Sequence, residues 1–131
     1  MSREELINIA KKAMNNSYSP YSGFKVGAAV LTSDGHVFWG CNVENASYGA
    51  AICAERTAMV KAVSEGYTSF KSIAIVSSSG EFTYPCGICR QFLSEFFEQD
   101  GTVILEDSQK GIIELDFSDI LPYAFTKNSI K

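Results

Sequence analysis

The chain has 131 residues, of which 46% are hydrophobic, and carries a formal net charge of -4 at pH 7. A chain of this size can remove about two-thirds of its unfolded surface from water in one core, and its acidic balance excludes the broad basic face that a long nucleic acid requires. No stretch has the apolar length of a signal peptide or a membrane span. We therefore expect one cytoplasmic domain over residues 1–131 that binds a small substrate or a protein, with no nucleic-acid polymer or membrane as partner.

The first half of the chain alternates helical and strand patterns. Apolar residues at helical spacing indicate a first helix that ends before a Ser-, Pro- and Gly-containing loop. An Asp-Gly step between two β-rich runs indicates a hairpin. The predicted elements are a helix from Leu6 to Met14, strands over 26–32 and 37–43, and a helix over 50–64 that Gly66 ends.

The second half continues the alternation. A wholly apolar run is typical of a strand buried on both faces, and the residues after Pro85 place apolar side chains on one side of a helix. The predicted elements are a strand over 73–77, a helix over 87–98, and strands over 102–106 and 112–117. This order predicts an α/β protein with a mixed sheet covered by helices on both faces.

Three cysteines are arranged like metal ligands. Cys86 and Cys89 form a C-x2-C pair after Pro85, and Cys53 lies at the start of the preceding helix. A lone C-x2-C pair is also typical of redox sites and structural zinc sites. Three thiolates would leave one tetrahedral position for water, whereas a fourth would close the site. Strand alternation makes Cys41 a small core residue, but a closed site with Cys41 as fourth ligand is the alternative.

The residues beside these cysteines favour a catalytic site. The positive end of the helix dipole at a helix start stabilises a thiolate relative to a thiol. Three thiolates around Zn²⁺ leave a net negative charge, which weakens the ability of zinc to lower the pKa of its bound water. Arg56 and Arg90 are candidates to donate to the sulfurs and offset that charge, unless they are solvated surface residues. Glu55, two positions after Cys53, can place a carboxylate beside the metal without binding it, as a general base requires.

Cys53-Ala54-Glu55 and Pro85-Cys86-Gly87-Ile88-Cys89 together resemble the zinc deaminase signature, in which the glutamate is acid and base. Further stretches narrow the resemblance to the small homotetrameric cytidine deaminases: 18–22 (YSPYS), 24–29 (FKVGAA), 40–48 (GCNVENASY), 53–56 (CAER), 89–91 (CRQ) and 121–122 (LP). The resemblance spans nearly the whole chain. It implies a three-layer α/β/α fold with a five-stranded mixed sheet, and a homotetramer with active sites at subunit interfaces.

The resemblance also implies roles for individual residues. Cys53, Cys86 and Cys89 would bind one zinc ion per chain, Glu55 would shuttle protons, and Arg56 would compensate the thiolate charge.

Six further residues would bind the substrate. Asn42 and Glu44 would hold the ribose hydroxyls, which agrees with their position on one face of a strand. Phe24 and Phe125 would flank the base, the latter from a neighbouring subunit, although a Phe is more often a core residue than a platform for a ligand. Two more residues complete the implied pocket: Ala54, through its backbone amide, and Tyr48.

The implied activity is hydrolytic deamination of cytidine and 2'-deoxycytidine to uridine and 2'-deoxyuridine in pyrimidine salvage, by a zinc-bound hydroxide with Glu55 as proton shuttle. Three alternatives remain. A deaminase of the same fold for another aminopyrimidine is disfavoured by the sugar-binding pair Asn42 and Glu44. A polynucleotide-editing enzyme is disfavoured by the acidic charge. The third alternative is a non-catalytic zinc-binding module, which would require all four cysteines to bind the zinc ion.

Overall fold

One mixed sheet organises the computed structural model, which describes residues 1–130. The strands run in the spatial order β2-β1-β3-β4-β5. Neighbours are antiparallel except β3 and β4, which are parallel. The strands are β1 (Val26–Thr32), β2 (Val37–Cys41), β3 (Phe70–Ser77), β4 (Phe97–Asp107) and β5 (Gly111–Asp116).

Helices cover both faces of this sheet. They are α1 (Arg3–Met14), α2 (Ala54–Ser64), α3 (Gly87–Ser94) and the short α4 (Phe117–Ile120), with 3₁₀ turns at Tyr48–Ala50 and Lys127–Ile130. The apolar side of α1 packs on one face, against residues such as Ala29 and Ala74. Residues of α2, α3 and α4 share the larger core on the other face. The predicted three-layer α/β/α architecture with five mixed strands is confirmed.

Two glycines set how closely the helices approach the sheet. A Cβ at Gly27 would lie 2.0 Å from the carbonyl oxygen of Ala10 in α1, and a Cβ at Gly40 would lie 2.6 Å from the amide nitrogen of Ala58 in α2. Both distances are far below van der Waals contact, so only glycine permits this packing. The position of α2, and of the residues at its start, therefore depends on the absence of a side chain at residue 40.

Several predicted boundaries were wrong. The strands predicted from residues 73 and 102 begin earlier, at Phe70 and Phe97, and three further differences bear on the site. The strand predicted to reach Val43 ends at Cys41, because Val43 instead forms isolated bridges with Tyr18 and Ile52. The helix predicted from residue 50 begins at Ala54, after a 3₁₀ turn. The helix predicted to reach residue 98 ends at Ser94, since Phe97 joins β4 beside Phe70.

The helices of residues 1–130 are short. The longest has 12 residues, and no helix in this part of the chain is long and apolar enough to cross a membrane.

Candidate active site

Three sulfur atoms meet at the starts of two helices. Cys53 is the residue immediately before α2 and Cys86 the residue immediately before α3, and both have extended backbones without a side-chain capping hydrogen bond. Cys89 is buried in the first turn of α3. The Sγ atoms of Cys53 and Cys86 are 3.7 Å apart, and all three Sγ atoms lie within 4.8 Å of one another.

This donor set fits zinc. Tetrahedral Zn–S bonds of about 2.3 Å place the sulfurs of a zinc site roughly 3.8 Å apart, close to the spacing of Cys53 and Cys86. Among residues 1–130, the cluster of metal-ligating side chains contains these three cysteines and not Cys41. Cys41 is half-buried in β2, opposite Gly27 of β1. Three ligands leave one tetrahedral position open, which is typical of catalytic zinc.

The three thiols share their protons unequally. The Cys89 thiol, hydrogen-bonded to the Cys53 sulfur, contributes most to lowering the pKa of Cys53 to about 5, with help from Arg56 and Cys86. The same interaction raises the pKa of Cys89, which keeps its proton. These opposite pKa directions make Cys53 the thiol that most readily takes the thiolate form, which is the form that metals bind.

Glu55 is a buried carboxyl group beside this cluster. It is the second residue of α2 and is only 4% exposed. Burial is the main cause that raises the pKa of Glu55 to about 7, and the negative charge of Cys53 adds to it. A carboxyl group with a pKa near neutrality can both accept and return a proton at working pH.

The two arginines that follow the cysteines have different partners. An Nη atom of Arg56 donates to Cys53 Sγ at 3.8 Å, while its buried Nε has no hydrogen-bond partner within residues 1–130. Arg90 instead donates from Nε to the carbonyl oxygen of Pro85 at 2.8 Å and from Nη1 to that of Ile120 at 2.9 Å. Of the two candidate donors, Arg56 therefore contacts a sulfur, whereas Arg90 is engaged by backbone carbonyls.

Asn42 is hydrogen-bonded to the loop that leads into β1. Its Nδ2 donates to the carbonyl oxygen of Phe24 at 2.8 Å, and its Oδ1 accepts from the amide of Val26 at 2.9 Å and from the hydroxyl of Ser17. A primary amide has two N–H donors. One of them is therefore left to donate to a ligand.

Glu44 contacts the same loop. Its Oε1 accepts from the amides of Tyr21 at 2.9 Å and Ser22 at 3.1 Å, and its Oε2 accepts from the hydroxyl of Ser22. The Ser22 hydroxyl is the main cause of a lowered pKa for Glu44. Glu44 is thus a carboxylate near neutral pH, with only acceptor capacity.

Exposed aromatic residues surround an open groove beside these groups. The groove has a volume of about 280 Å³ and is lined by Tyr21, Ser22, Glu44, Asn45, Tyr48 and Ala51. The Tyr48 side chain is 81% exposed and meets Tyr21 edge-on, with ring centroids 6.5 Å apart. Phe24 is 41% exposed. The groove is therefore open on its aromatic side.

The two remaining predicted residues lie in contrasting surroundings. Ala54 is fully buried as the first residue of α2, where the backbone amide has no acceptor within the helix. Phe125 is 63% exposed on the C-terminal segment, and its carbonyl oxygen accepts from Gln91 Nε2 at 2.8 Å. Gln91 itself lines a second open groove with Arg56 and Ile88.

Sequence reasoning missed the side chains that support these residues. Ser17 and Ser22 hold Asn42 and Glu44, and Gln91 holds the Phe125 segment. Each pair is separated by more than twenty positions along the chain, so neither periodicity nor motif spacing could join them. The only available signal was that Arg90 and Gln91 directly follow a predicted metal ligand.

Comparison with known proteins identifies the family of this fold and site. Residues 1–106 match the family model for the cytidine and deoxycytidylate deaminase zinc-binding region. A cytidine deaminase of Sporosarcina psychrophila is 45% identical over 130 residues, covering 99% of this chain and 96% of that protein. One of Halalkalibacterium halodurans is 48% identical over 126 residues, covering 96% of each.

Solved structures agree with this relationship. The crystal structure of cytidine deaminase from Burkholderia pseudomallei superposes with a TM-score of 0.89 at 46% identity, covering 95% of this chain and 100% of that one. The enzyme from Mycobacterium tuberculosis gives a TM-score of 0.84 at 38% identity, covering 95% and 98%. The chain belongs to the zinc-binding cytidine and deoxycytidylate deaminase family.

Proposed function

We propose that this protein hydrolyses free cytidine and 2'-deoxycytidine to uridine and 2'-deoxyuridine with release of ammonia, as part of pyrimidine salvage. One observation carries the proposal: Glu55, a buried carboxyl group in the first turn of α2, lies two residues after Cys53, one of three cysteines whose sulfur atoms converge as metal ligands. Relatives at 45% and 48% identity are named cytidine deaminases.

Cys53, Cys86 and Cys89 would hold one zinc ion per chain. When bound there, zinc supplies a Lewis acid that brings the pKa of water toward neutrality. Arg56 lies 3.8 Å from one of the sulfurs and adds positive charge to an otherwise anionic ligand set. This charge would make it easier for Glu55 to remove a proton from the attacking water.

Glu55 would move the proton. Its carboxylate takes a proton from the attacking water as the oxygen forms a bond to carbon 4 of the pyrimidine. The carboxyl group then gives this proton to ring nitrogen 3. The carboxylate next takes the second proton from the oxygen added at carbon 4 and passes it to the amino nitrogen, which leaves as ammonia when the carbon–nitrogen bond breaks. Water and cytidine thus become uridine and ammonia, and Glu55 ends the cycle ionised as it began.

The sugar would be recognised by Asn42 and Glu44. A ribose hydroxyl has one hydrogen to donate and lone pairs to accept. Glu44 offers carboxylate oxygens and Asn42 retains one N–H donor, so the pair is complementary to hydroxyl groups. A free nucleoside is therefore the preferred substrate over a bare base.

The base would be held by aromatic rings and one backbone amide. Tyr48 presents an exposed ring in the groove, and Phe24, whose carbonyl oxygen accepts from Asn42, has a partly exposed ring. Stacking on such rings is worth about 1–3 kcal/mol per base. The amide of Ala54 is positioned at a helix start, where it can donate to the pyrimidine carbonyl oxygen. Phe125 would complete the pocket from a neighbouring subunit.

We further propose a homotetramer with active sites at subunit interfaces. Exposed apolar side chains include Tyr48 and Ile88, which line the two grooves, and Phe125. Large apolar patches are typical of interaction surfaces. Sedimentation analysis tests the number of subunits. The sharing of sites is tested by combining two defective chains, Phe125→Ala and Glu55→Gln, in one oligomer.

The combined oligomer has a distinctive expected result. In the mixed oligomer, the Phe125→Ala chain supplies Glu55 and the Glu55→Gln chain supplies Phe125, so some sites are complete. At low cytidine concentration, the activity per chain that carries Glu55 should therefore exceed the activity per chain of the Phe125→Ala oligomer. If each site belongs to one chain, mixing restores nothing and the shared-site proposal is wrong.

The remaining proposals concern organisation and location. All five strands join one sheet, which supports a single domain over residues 1–131. All four cysteines are free thiols, and a reducing cytoplasm would preserve the thiolates that zinc requires.

The deciding experiment follows the loss of cytidine and deoxycytidine ultraviolet absorbance with purified protein, beside zinc analysis. Wild type should convert both nucleosides, and Glu55→Gln should lose about 10²–10⁴-fold in rate while keeping one zinc per chain. A folded, zinc-loaded wild type that converts neither nucleoside contradicts the proposal. Conversion of another aminopyrimidine under the same conditions would favour the alternative deaminase.

A further inference from the structure

Two adjacent side chains of α3 fasten the C-terminal segment to the metal-binding loop. Arg90 donates to the carbonyl oxygen of Pro85, directly before Cys86, and to that of Ile120, at the end of α4. Gln91 donates from Nε2 to the carbonyl oxygen of Phe125. All three donor–acceptor distances are 2.8 or 2.9 Å, which is the ideal length for such bonds.

This arrangement matters because few other contacts hold that segment. Tyr123 and Phe125 are strongly exposed, and Tyr123 has a positive φ of 54°, which is unusual for a bulky residue. Between the end of α4 and the 3₁₀ turn at Lys127, regular secondary structure supplies no backbone bonds. Gln91 is therefore the side chain that fastens this stretch to α3 by a hydrogen bond, beyond the end of α4 that Arg90 holds and the packing of Leu121 against the main core.

We propose that Arg90 and Gln91 are positioning residues of the substrate site: they couple the zinc-binding loop to the C-terminal segment and set the location of Phe125. The proposal rests on the proposed function, because it gives Phe125 a role in binding the nucleoside. Arg90 secures both ends of the connection, whereas Gln91 acts only on the Phe125 end. A substitution of Gln91 can therefore change the position of Phe125 without disturbing the metal-binding loop.

The test uses Gln91→Met, which keeps the length of the side chain and removes the donor, and Gln91→Lys, which keeps a donor. Losing one hydrogen bond to a neutral acceptor should raise KM for cytidine about fivefold. The value of kcat and the zinc content should stay at the wild-type level, and Gln91→Lys should recover most of the wild-type KM. Gln109→Met is the matched control, since Gln109 is exposed and makes no side-chain hydrogen bond within residues 1–130.

A double-mutant cycle identifies the route of the effect. In a Phe125→Ala background, Gln91→Met should change KM by less than twofold, because interacting residues are not additive. Hydrogen exchange gives a readout that does not need catalysis: amides of residues 121–130 should exchange faster in Gln91→Met than in wild type. A full fivefold effect in the Phe125→Ala background would overturn positioning through Phe125.

The outcomes also separate this inference from the proposed function. If wild type converts cytidine but Gln91→Met matches it in KM and in exchange, the positioning role is overturned and the proposed function stands. If wild type converts no nucleoside, both are overturned, whatever the exchange rates show.

Discussion

The thiolate centre and the nucleoside groove are built in opposite ways. The centre lies where α2 and α3 begin, with Glu55 and Cys89 buried against the main core. The groove is formed by loops, and the ring of Tyr48 that lines it is exposed, while Phe125 is exposed on the C-terminal segment. The reactive groups are therefore positioned by the fold of one chain, whereas the enclosure of a substrate depends on exposed loop side chains and on further surfaces around them.

This difference predicts how the two regions respond to substitution. Changes at the centre should abolish metal binding or the chemical step, because burial leaves no compensating rearrangement. Changes at the groove should weaken substrate binding and leave the metal in place. The following variants test that division.

The largest effect is expected from Cys86→Ala. Removing one of three thiolates should lower zinc content from about one per chain to a small fraction and eliminate activity. Cys41→Ala is the control, since Cys41 lies outside the sulfur cluster. Zinc analysis after gel filtration measures both, and loss of zinc from Cys41→Ala would instead favour a closed four-cysteine site.

Gly40→Ala tests whether the close packing of α2 against the sheet positions the thiolate centre. The new Cβ would lie 2.6 Å from the Ala58 amide nitrogen and displace α2, at a cost of about 1–3 kcal/mol in the free energy of unfolding. Because Glu55 moves with α2, kcat should fall as well. Urea unfolding measures the first effect, with Gly49→Ala as control, where a Cβ meets no atom within 4 Å. Equal stability of the two variants would contradict the close-packing argument.

Phe24→Ala tests the groove. Loss of one stacking ring should raise KM for cytidine about tenfold, while zinc content and the unfolding midpoint stay near wild type because the ring is partly exposed. Steady-state kinetics measures the increase in KM, and parallel zinc analysis measures the metal content. A loss of zinc in this variant would break the distinction between the two regions.

The smallest effect concerns Glu44 and pH. Its pKa is lowered in the folded chain, chiefly by the Ser22 hydroxyl, so its stabilising contribution is present above the ordinary pKa of 4.5 and is lost as pH falls through the lowered value. Hydrogen exchange should show protection of the Tyr21 and Ser22 amides that declines below about pH 4.5.

Glu44→Gln should remove most of that pH dependence. Asp107 provides an internal control, because it holds the amides of Gln109 and Lys110 in the same way and is unaffected by the variant. If protection of the Tyr21 and Ser22 amides depends on pH in Glu44→Gln as it does in wild type, a group other than Glu44 causes that dependence.

The sequence predicted the architecture better than the boundaries. Periodicity located α1, β1 and the core of β3, because each buries a regular apolar pattern. It failed at residues 95–98, where apolar spacing suited a helix but Phe96 and Phe97 pack around Phe70 and draw the chain into β4. The packing of these rings against Phe70 of the neighbouring strand outweighed the local preference for a helix.

The site shows the same limit. The cysteines and Glu55 lie within two short motifs, so their proximity followed from the chain order and the expected helix starts. The contacts Ser17–Asn42, Ser22–Glu44 and Gln91–Phe125 link distant segments. Their existence depends on how loops fold over the finished sheet, and no pattern in one sequence encodes it.

The lack of a capping hydrogen bond at Cys53 and Cys86 has a consequence for folding. A zinc ion shared by both residues would cross-link two helix ends that belong to different segments, with β3 between them. The cross-link can form only after both helices have docked on the sheet, so metal binding should come late in assembly. The unfolded chain keeps only Cys86 and Cys89 close together, so zinc should bind the native state more tightly than the unfolded state and raise the melting temperature as its concentration rises.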